Sequence, residues 1–242
     1  MGKLVAWLDR KLYPHHGPNW DDLLFRQHIK EVLDKDRHVL DLGAGAGIVT
    51  QMNFRGCAAR VCGIDPDERV RANPYLDEGR TGVGEAIPYP DQSFHVVFAD
   101  NVLEHLERPE AVFKEVARVL KPGGLFLAKT PNRWHYLPLV ARATPHRFHQ
   151  FVNRLRGRQS VDTFPTRYLA NTPGAIQHYA ASSGLSVRQI LLVEGRPEYL
   201  RITAPTYLLG WLYERLVNSS SKLARFRVVL IAILEKPESA HS

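Results

Sequence analysis

The chain has 242 residues, 44% hydrophobic, 24% charged and 10% aromatic, which excludes disordered, collagenous and coiled-coil classes. Lys and Arg number 32 against 25 Asp and Glu, a formal charge of +7. That excess favours anionic partners without choosing among nucleic acid, anionic lipid and phosphorylated small molecules. Two cysteines, Cys57 and Cys62, are too few for a disulfide framework and lack CxxC spacing. No apolar run reaches the ~18 residues that span a bilayer, and the N-terminal apolar core is too short for a signal peptide. A cytoplasmic location is expected.

Leu4, Leu8 and Leu12, with Val5 and Trp7, form a helical stripe stopped by Pro14. A second helix is expected from an N-cap at Asn19, through Asp21 and Asp22 in its first turn, to about Leu33. The period then changes, and residues 38–42, 60–64 and 94–99 read as short buried strands. Residues 109–120 read as a helix with its proline in the first turn and Val112, Val116, Val119 and Leu120 on one face. Lys121-Pro122-Gly123-Gly124 breaks it, and 125–128 follows as a strand. Apolar strands alternating with helices predict an α/β fold with a doubly wound, mostly parallel sheet covered on both faces. From 131 to about 172, basic and aromatic residues mix with Pro145, Gly157 and Pro165, which reads as an insertion after the fifth strand. A helix is expected over 173–182, a strand over 185–193, an apolar and aromatic helix over 207–217, and a last strand over 226–234.

The most informative segment is Asp41-Leu42-Gly43-Ala44-Gly45-Ala46-Gly47. A strand ends there in a glycine-rich turn expected to enter a helix, so that backbone approaches a ligand at the carboxyl edge of the sheet. A dinucleotide fingerprint would need its third glycine at Ile48. Asp65 stands at the tip of the next strand, where a carboxylate can accept hydrogen bonds from both ribose hydroxyls. Gly84-Glu85-Ala86 to Phe94, then Asp100-Asn101-Val102-Leu103-Glu104-His105, then Glu115 to Gly124 follow in order.

Together these runs, over about 36 to 130, resemble the consecutive motifs of class I S-adenosylmethionine-dependent methyltransferases of the type 11-like kind. The resemblance implies a seven-stranded Rossmann-like sheet and S-adenosyl-L-methionine as cofactor. It assigns cofactor contacts to Asp41, Gly43, Ala44, Gly45, Gly47, Asp65, Pro66, Gly84, Glu85, Ala86, Asn101, Val102 and His105. A helix N-terminus after the glycine turn would suit the methionyl carboxylate. Val83 stands where many relatives carry an acid toward the adenine. Asn101 stands where relatives that methylate quinone precursors place an acid before Glu-His, so no metal is expected. The implied division is 1–35 as N-terminal helices, 36–130 as the cofactor-binding half, 131–172 as an acceptor lid, and 173–242 as the rest of the sheet with a helical insertion near 204–218.

Methyl transfer from a sulfonium needs mainly positioning, and a hydroxyl acceptor also needs a base. His135, directly after the fifth strand, is the first candidate; His149, with His146, follows. The arginines and aromatic residues of the insertion suit a small or glycan-like acceptor that carries a ring and negative charge. RNA ranks second among acceptors, because the Asn/Asp-Pro-Pro-aromatic motif of base-amine methylation is replaced by Asp100-Asn101-Val102-Leu103. The apolar helix near 204–218, with Leu4, Trp7, Lys3, Arg10 and Lys11, allows peripheral membrane contact and a lipid- or quinone-type acceptor; a helix covering the sheet or lining a dimer seam is the favoured reading. The rivals in other classes are a non-catalytic cofactor-binding protein and an NAD-dependent oxidoreductase. Oligomeric state is not specified by the sequence.

Overall fold

The computed structural model describes residues 2–17, 19–136, 138 and 165–238; most of the expected lid lies outside them. The chain divides into two compact units, Met1–Asp21 with Asn132–Pro165 and Leu192–Val229, and Asp22–Pro131 with Thr166–Leu191 and Leu230–Ser242.

The second unit is built on the sheet. Its strands are β1 (His38–Leu42), β2 (Arg60–Asp65), β3 (Glu78–Thr81), β4 (Phe94–Asp100), β5 (Leu120–Pro131), β6 (Ser186–Val193) and β7 (Val229–Glu235), in the order β3-β2-β1-β4-β5-β7-β6. The pairings β1–β2, β1–β4, β2–β3 and β4–β5 are parallel. The chain winds outward through β2 and β3, then crosses to the other side of β1, so the strand order reverses between β1 and β4. In open α/β sheets that reversal leaves a crevice outside the carboxyl ends of the two strands.

Strands buried on both faces must be apolar throughout, and Val39, Leu40, Val61, Val96, Val97, Phe98, Phe126 and Leu127 are fully buried. Three helices cover them: α2 (Trp20–Glu31) through Phe25 and Ile29, α3 (Pro109–Val119) through Val112, Phe113 and Val116, and α4 (Pro173–Ser182) through Ile176 and Ala180. Thr172 caps α4 by accepting from the Ala175 amide at 3.2 Å. Edge-to-face ring pairs, Phe113–Phe126 at 5.7 Å and Phe54–Phe98 at 5.2 Å, fill the layers.

One expectation is corrected. No α-helix follows the glycine turn; the link to β2 contains only a 3-10 turn, Thr50–Met52. Ile48, Val49 and Thr50 are consecutive β-branched residues, poor at nucleating a helix. Arg26 of α2 instead donates to the carbonyls of Gln51 at 2.5 Å and Asn53 at 2.7 Å, satisfying backbone that a helix would have satisfied itself. A second difference is β5, which starts at Leu120 and takes in the 121–124 segment expected as a break, with a register irregularity opposite Phe94 and Val96.

The first unit holds α1 (Lys3–Leu12) and α5 (Ala204–Asn218). Val5, Leu8, Tyr13 and Tyr207 form its apolar cluster, with Leu12, Ala204 and Trp211 against it. Thr203 and Thr206 close a capping box that starts α5 earlier than the apolar periodicity suggests. Polar groups are matched inside this unit. Tyr207 donates to Asp9 at 2.8 Å, Tyr13 donates to Glu214 at 3.0 Å, and Asp9 pairs with Arg201 and, at 3.8 Å, with Arg196. A cavity of about 540 Å³ opens here, lined by Asp9, Tyr13, His16, Arg196 and Arg201 among others.

Candidate cofactor site

β1 ends at Leu42 and the chain turns through Gly43, Ala44, Gly45 and Gly47 at the carboxyl edge of the sheet. Gly43 has φ +83°, and a Cβ there would fall 2.4 Å from Val102 Cγ2, so only glycine lets the turn lie against the loop after β4. At Gly45, with φ +51°, a Cβ would meet nothing nearer than the Asp65 carboxylate at 4.0 Å. The turn is thus packed at one glycine and open at the next, a cradle lined by backbone.

Asp65, at the end of β2, faces that opening. Its Oδ2 accepts from the Gly45 amide at 2.9 Å and its Oδ1 from the Asp67 amide at 2.8 Å. Both oxygens are oriented by backbone donors and keep lone pairs for further donors such as vicinal hydroxyls. Pro66 follows, exposed. Asn73, which the sequence did not single out, donates from Nδ2 to the Ala44 carbonyl at 2.9 Å and the Gly45 carbonyl at 3.2 Å, and Gly47 closes the turn against it. No spacing rule would have found Asn73, because its function is to satisfy turn carbonyls across the loop.

Asp41 is buried beneath the turn. Burial first, then the like charges of Asp100 and Asp65, pushes its carboxyl well above the ordinary range. Lys129 supplies a cation to Asp100. It sits in β5 opposite Asp100, is 1% exposed, and pairs with Asp22 and, at 3.0 Å, with Asp100. A lysine at the end of an apolar strand was the signal available for it.

After β4, Asn101 adopts φ +54° and donates its amide to the Lys129 carbonyl at 2.9 Å, which carries Val102 onto Gly43. Glu104 is buried. Thr130 donates to its Oε2 at 2.8 Å, and Asn171 donates to the Thr130 hydroxyl at 2.6 Å. Burial raises its pKa, opposed by the hydrogen bonds and by His105 and Lys129. His105 Nε2 lies 3.9 Å from Glu104 Oε1, on a side chain that is partly exposed. Beyond β3, the Val83 carbonyl accepts from the Ala86 amide at 3.1 Å, and Gly84 packs against Val112 and Leu42. Glu85 is half-buried there, while the exposed Val83 side chain offers no polar group.

The structure therefore gathers Asp41, the glycines, Asp65, Asn101, Val102 and His105 at neighbouring strand ends of one unit. His135 belongs to the other unit. There its imidazole is 1% exposed, packed by Tyr136 and Tyr213, with Glu194 at 3.7 Å. Burial lowers its pKa to about 3. A group so weakly basic does not fit the proton acceptor expected from its position after β5. His149 and His146 lie outside the described residues.

The residues present fit a sulfonium nucleoside: a backbone cradle that a Cβ would fill, and a carboxylate fixed beside it. Residues 40–128 match the family model described as a methyltransferase domain. A protein of Mycolicibacterium smegmatis named "Probable S-adenosylmethionine-dependent methyltransferase" is 40% identical over 114 residues, 45% of this chain and 43% of its own. The ubiquinone biosynthesis O-methyltransferase of Maricaulis maris is 33% identical over 136 residues, 47% of this chain and 52% of its own. The matches thus span about half, or less, of these relatives' length. Among solved structures, the geranyl diphosphate C-methyltransferase of Streptomyces coelicolor, in complex with S-adenosyl-L-homocysteine, covers 89% of this chain and 75% of its own at a TM-score of 0.55 and 14% identity. The fold is that of the Rossmann-like methyltransferases, and residues 40–128 match a methyltransferase domain like that of the relative named S-adenosylmethionine-dependent.

Proposed function

We propose that the protein transfers a methyl group from S-adenosyl-L-methionine to an oxygen of a small or glycan-like, anionic acceptor. The observation that carries the cofactor is the Asp65 carboxylate, held by the Gly45 and Asp67 amides beside an open glycine turn. When bound, the cofactor supplies a methyl group already activated on a cationic sulfur. Asp65 would hold the ribose, the turn at Gly43–Gly47 the amino-acid portion, and the backbone around Gly84–Ala86 the adenine. With no helix N-terminus at the turn, the amino-acid carboxylate is left to individual amides of the loop.

Oxygen as the acceptor atom is supported by the Maricaulis maris relative, a ubiquinone biosynthesis O-methyltransferase. It is also supported by His105, which is partly exposed and backed by Glu104. His105 takes the hydroxyl proton, and Glu104, oriented by Thr130 and Asn171, steadies the imidazolium that forms. The basic composition of the 131–172 stretch supports an anionic acceptor.

The test is incubation with donor labelled in its methyl group and fractionated cell metabolites, glycans and RNA. Label entering an acidic small-molecule or glycan fraction as a methyl ether or ester is expected. Label in RNA alone would overturn the acceptor. Calorimetry on folded protein that binds NADH and ignores S-adenosylhomocysteine would overturn the cofactor.

A further inference from the structure

The register of the parallel strands sets three acids in one row. Asp41 of β1 is paired with Gly63 of β2 and with Phe98 of β4. Side chains alternate faces along a strand, so Asp65 and Asp100, each two residues further on, share the face of the sheet that Asp41 occupies. Lys129 of β5, opposite Asp100, continues the row. The order across the carboxyl ends is therefore Asp65, Asp41, Asp100, Lys129, one from each of four adjacent strands.

The three acids are not provided for equally. Asp65 accepts from the Gly45 and Asp67 amides at 2.9 and 2.8 Å. Asp100 lies 3.0 Å from Lys129 Nζ, and Asp22 of α2 shares that ammonium. Asp41, between them and 6% exposed, receives no side-chain hydrogen bond from any described residue. The charges that act on it are Asp65 and Asp100 on the flanking strands, both of its own sign. Lys129 is two strands away, about 10 Å at ordinary strand spacing, and is engaged by Asp100 and Asp22. A buried carboxylate with no donor and an acid on each side is costly to ionise, so the protein by itself favours the acid form. The upward shift of its carboxyl agrees. A cation brought into the crevice reverses that balance. S-adenosyl-L-methionine carries two cationic centres, the sulfonium and the amino-acid ammonium, where a dinucleotide carries phosphates.

We propose that Asp41 is the charge-selecting residue of the cofactor site: it holds a proton in the free protein and yields it to solvent when a cationic S-adenosyl ligand binds. The inference rests on the cofactor reading and adds to it a proton that leaves the carboxyl O–H for the buffer. It is tested by titration calorimetry of the full chain with S-adenosylmethionine and with S-adenosylhomocysteine, in buffers of different ionisation enthalpy. At about pH 6–7 the ligand's amino group keeps its charge. About one proton released per ligand is expected, with affinity rising up to about tenfold per pH unit. Asp41→Asn, shaped like the acid form, should bind without that release and without that pH dependence. Release with both ligands would assign the partner cation as the ammonium, and release with S-adenosylmethionine alone would assign it as the sulfonium; either supports the inference. A second measurement needs no variant: in the infrared difference spectrum of the wild-type chain, a carboxylic-acid C=O band should vanish on binding and should shift when aspartate is labelled with carbon-13. Binding with no proton released, equal release by folded Asp41→Asn, or an unchanged acid band would each overturn the inference and leave the cofactor reading standing. Folded protein that binds neither ligand would overturn both.

Discussion

Asp65 and Gly45 hold one another at the ends of β2 and β1, the carboxylate Oδ2 accepting from the amide at 2.9 Å, in the part of the turn where a side chain would have room but would fill the cradle. Asp65→Ala removes the acceptor for two ribose hydroxyls. A hydrogen bond to a charged group contributes about 1.5–3 kcal/mol, so the affinity for S-adenosylhomocysteine is expected to fall about a hundredfold or more, and the unfolding temperature to fall as the Gly45 and Asp67 amides lose their acceptor. Titration calorimetry measures it. A change under about threefold would place the ribose elsewhere.

Gly43 and Val102 form a second close relationship. Gly43→Ala forces a Cβ to within 2.4 Å of Val102 Cγ2 at a positive φ. The expected cost is about 2–4 kcal/mol, from overpacking and left-handed backbone together. Adding Val102→Ala should recover the packing part and leave the backbone part. A denaturant double-mutant cycle with no coupling would show that the two residues do not press on each other.

Lys129 is buried with Asp22 and Asp100 as partners. Lys129→Met leaves Asp22 and Asp100 without their cation, and about 3–5 kcal/mol of stability is expected to be lost. Part should return on acidification, as the carboxyls take up protons. Urea unfolding at neutral and acid pH distinguishes this from simple loss of packing, which would not respond to pH.

His105 and Glu104 predict graded losses of turnover. His105→Gln should lower turnover about a hundredfold or more, read as the initial rate of methyl transfer. Glu104→Gln should lower it less. Full activity in the folded His105→Gln variant would remove the histidine from the chemistry.

His135 and Glu194 predict a stability profile with a plateau. His135, held near 3 against an ordinary 6.5, stays neutral in the fold, so the unfolded chain binds its proton first, and stability is lost as pH falls through that window. Burial pushes Glu194 up to about 8 from 4.5, so the fold favours its protonated form, and stability is lost as pH rises from 4.5 to 8. The two slopes cancel between 4.5 and 6.5. Beyond the plateau, each limb should cost about 1.4 kcal/mol per pH unit. Glu194→Gln should flatten the alkaline limb and turn the plateau between 4.5 and 6.5 into a continuation of the acid limb, as thermal unfolding across pH would show; an unaltered profile would refute the assignment.

Strands β1, β2 and β4 are legible in the sequence because parallel strands covered on both faces must be apolar throughout. Their terminal motifs are legible too, since glycine and aspartate at a strand end have few structural alternatives. β3, Glu78-Gly79-Arg80-Thr81 at the sheet edge, is polar and carries no such signal. The burial of His135 could not be read either, because its partners Glu194 and Tyr213 are distant in the chain.

The order of buried strands, the glycine turn and the position of Asp65 follow from local chemistry, and the sequence alone determined them. Three matters were decided only in the folded chain. Arg26 replaces a helix after Gly47 by serving the carbonyls there. Lys129 neutralises acids brought together from α2 and β4. The leucines of α5 face outward because Asp9 and Tyr13 hold its Tyr207 and Glu214 inward. The physical reason is common to all three: a buried donor, acceptor or charge must be matched by whatever partner the tertiary contacts supply, and sequence distance does not encode that partner.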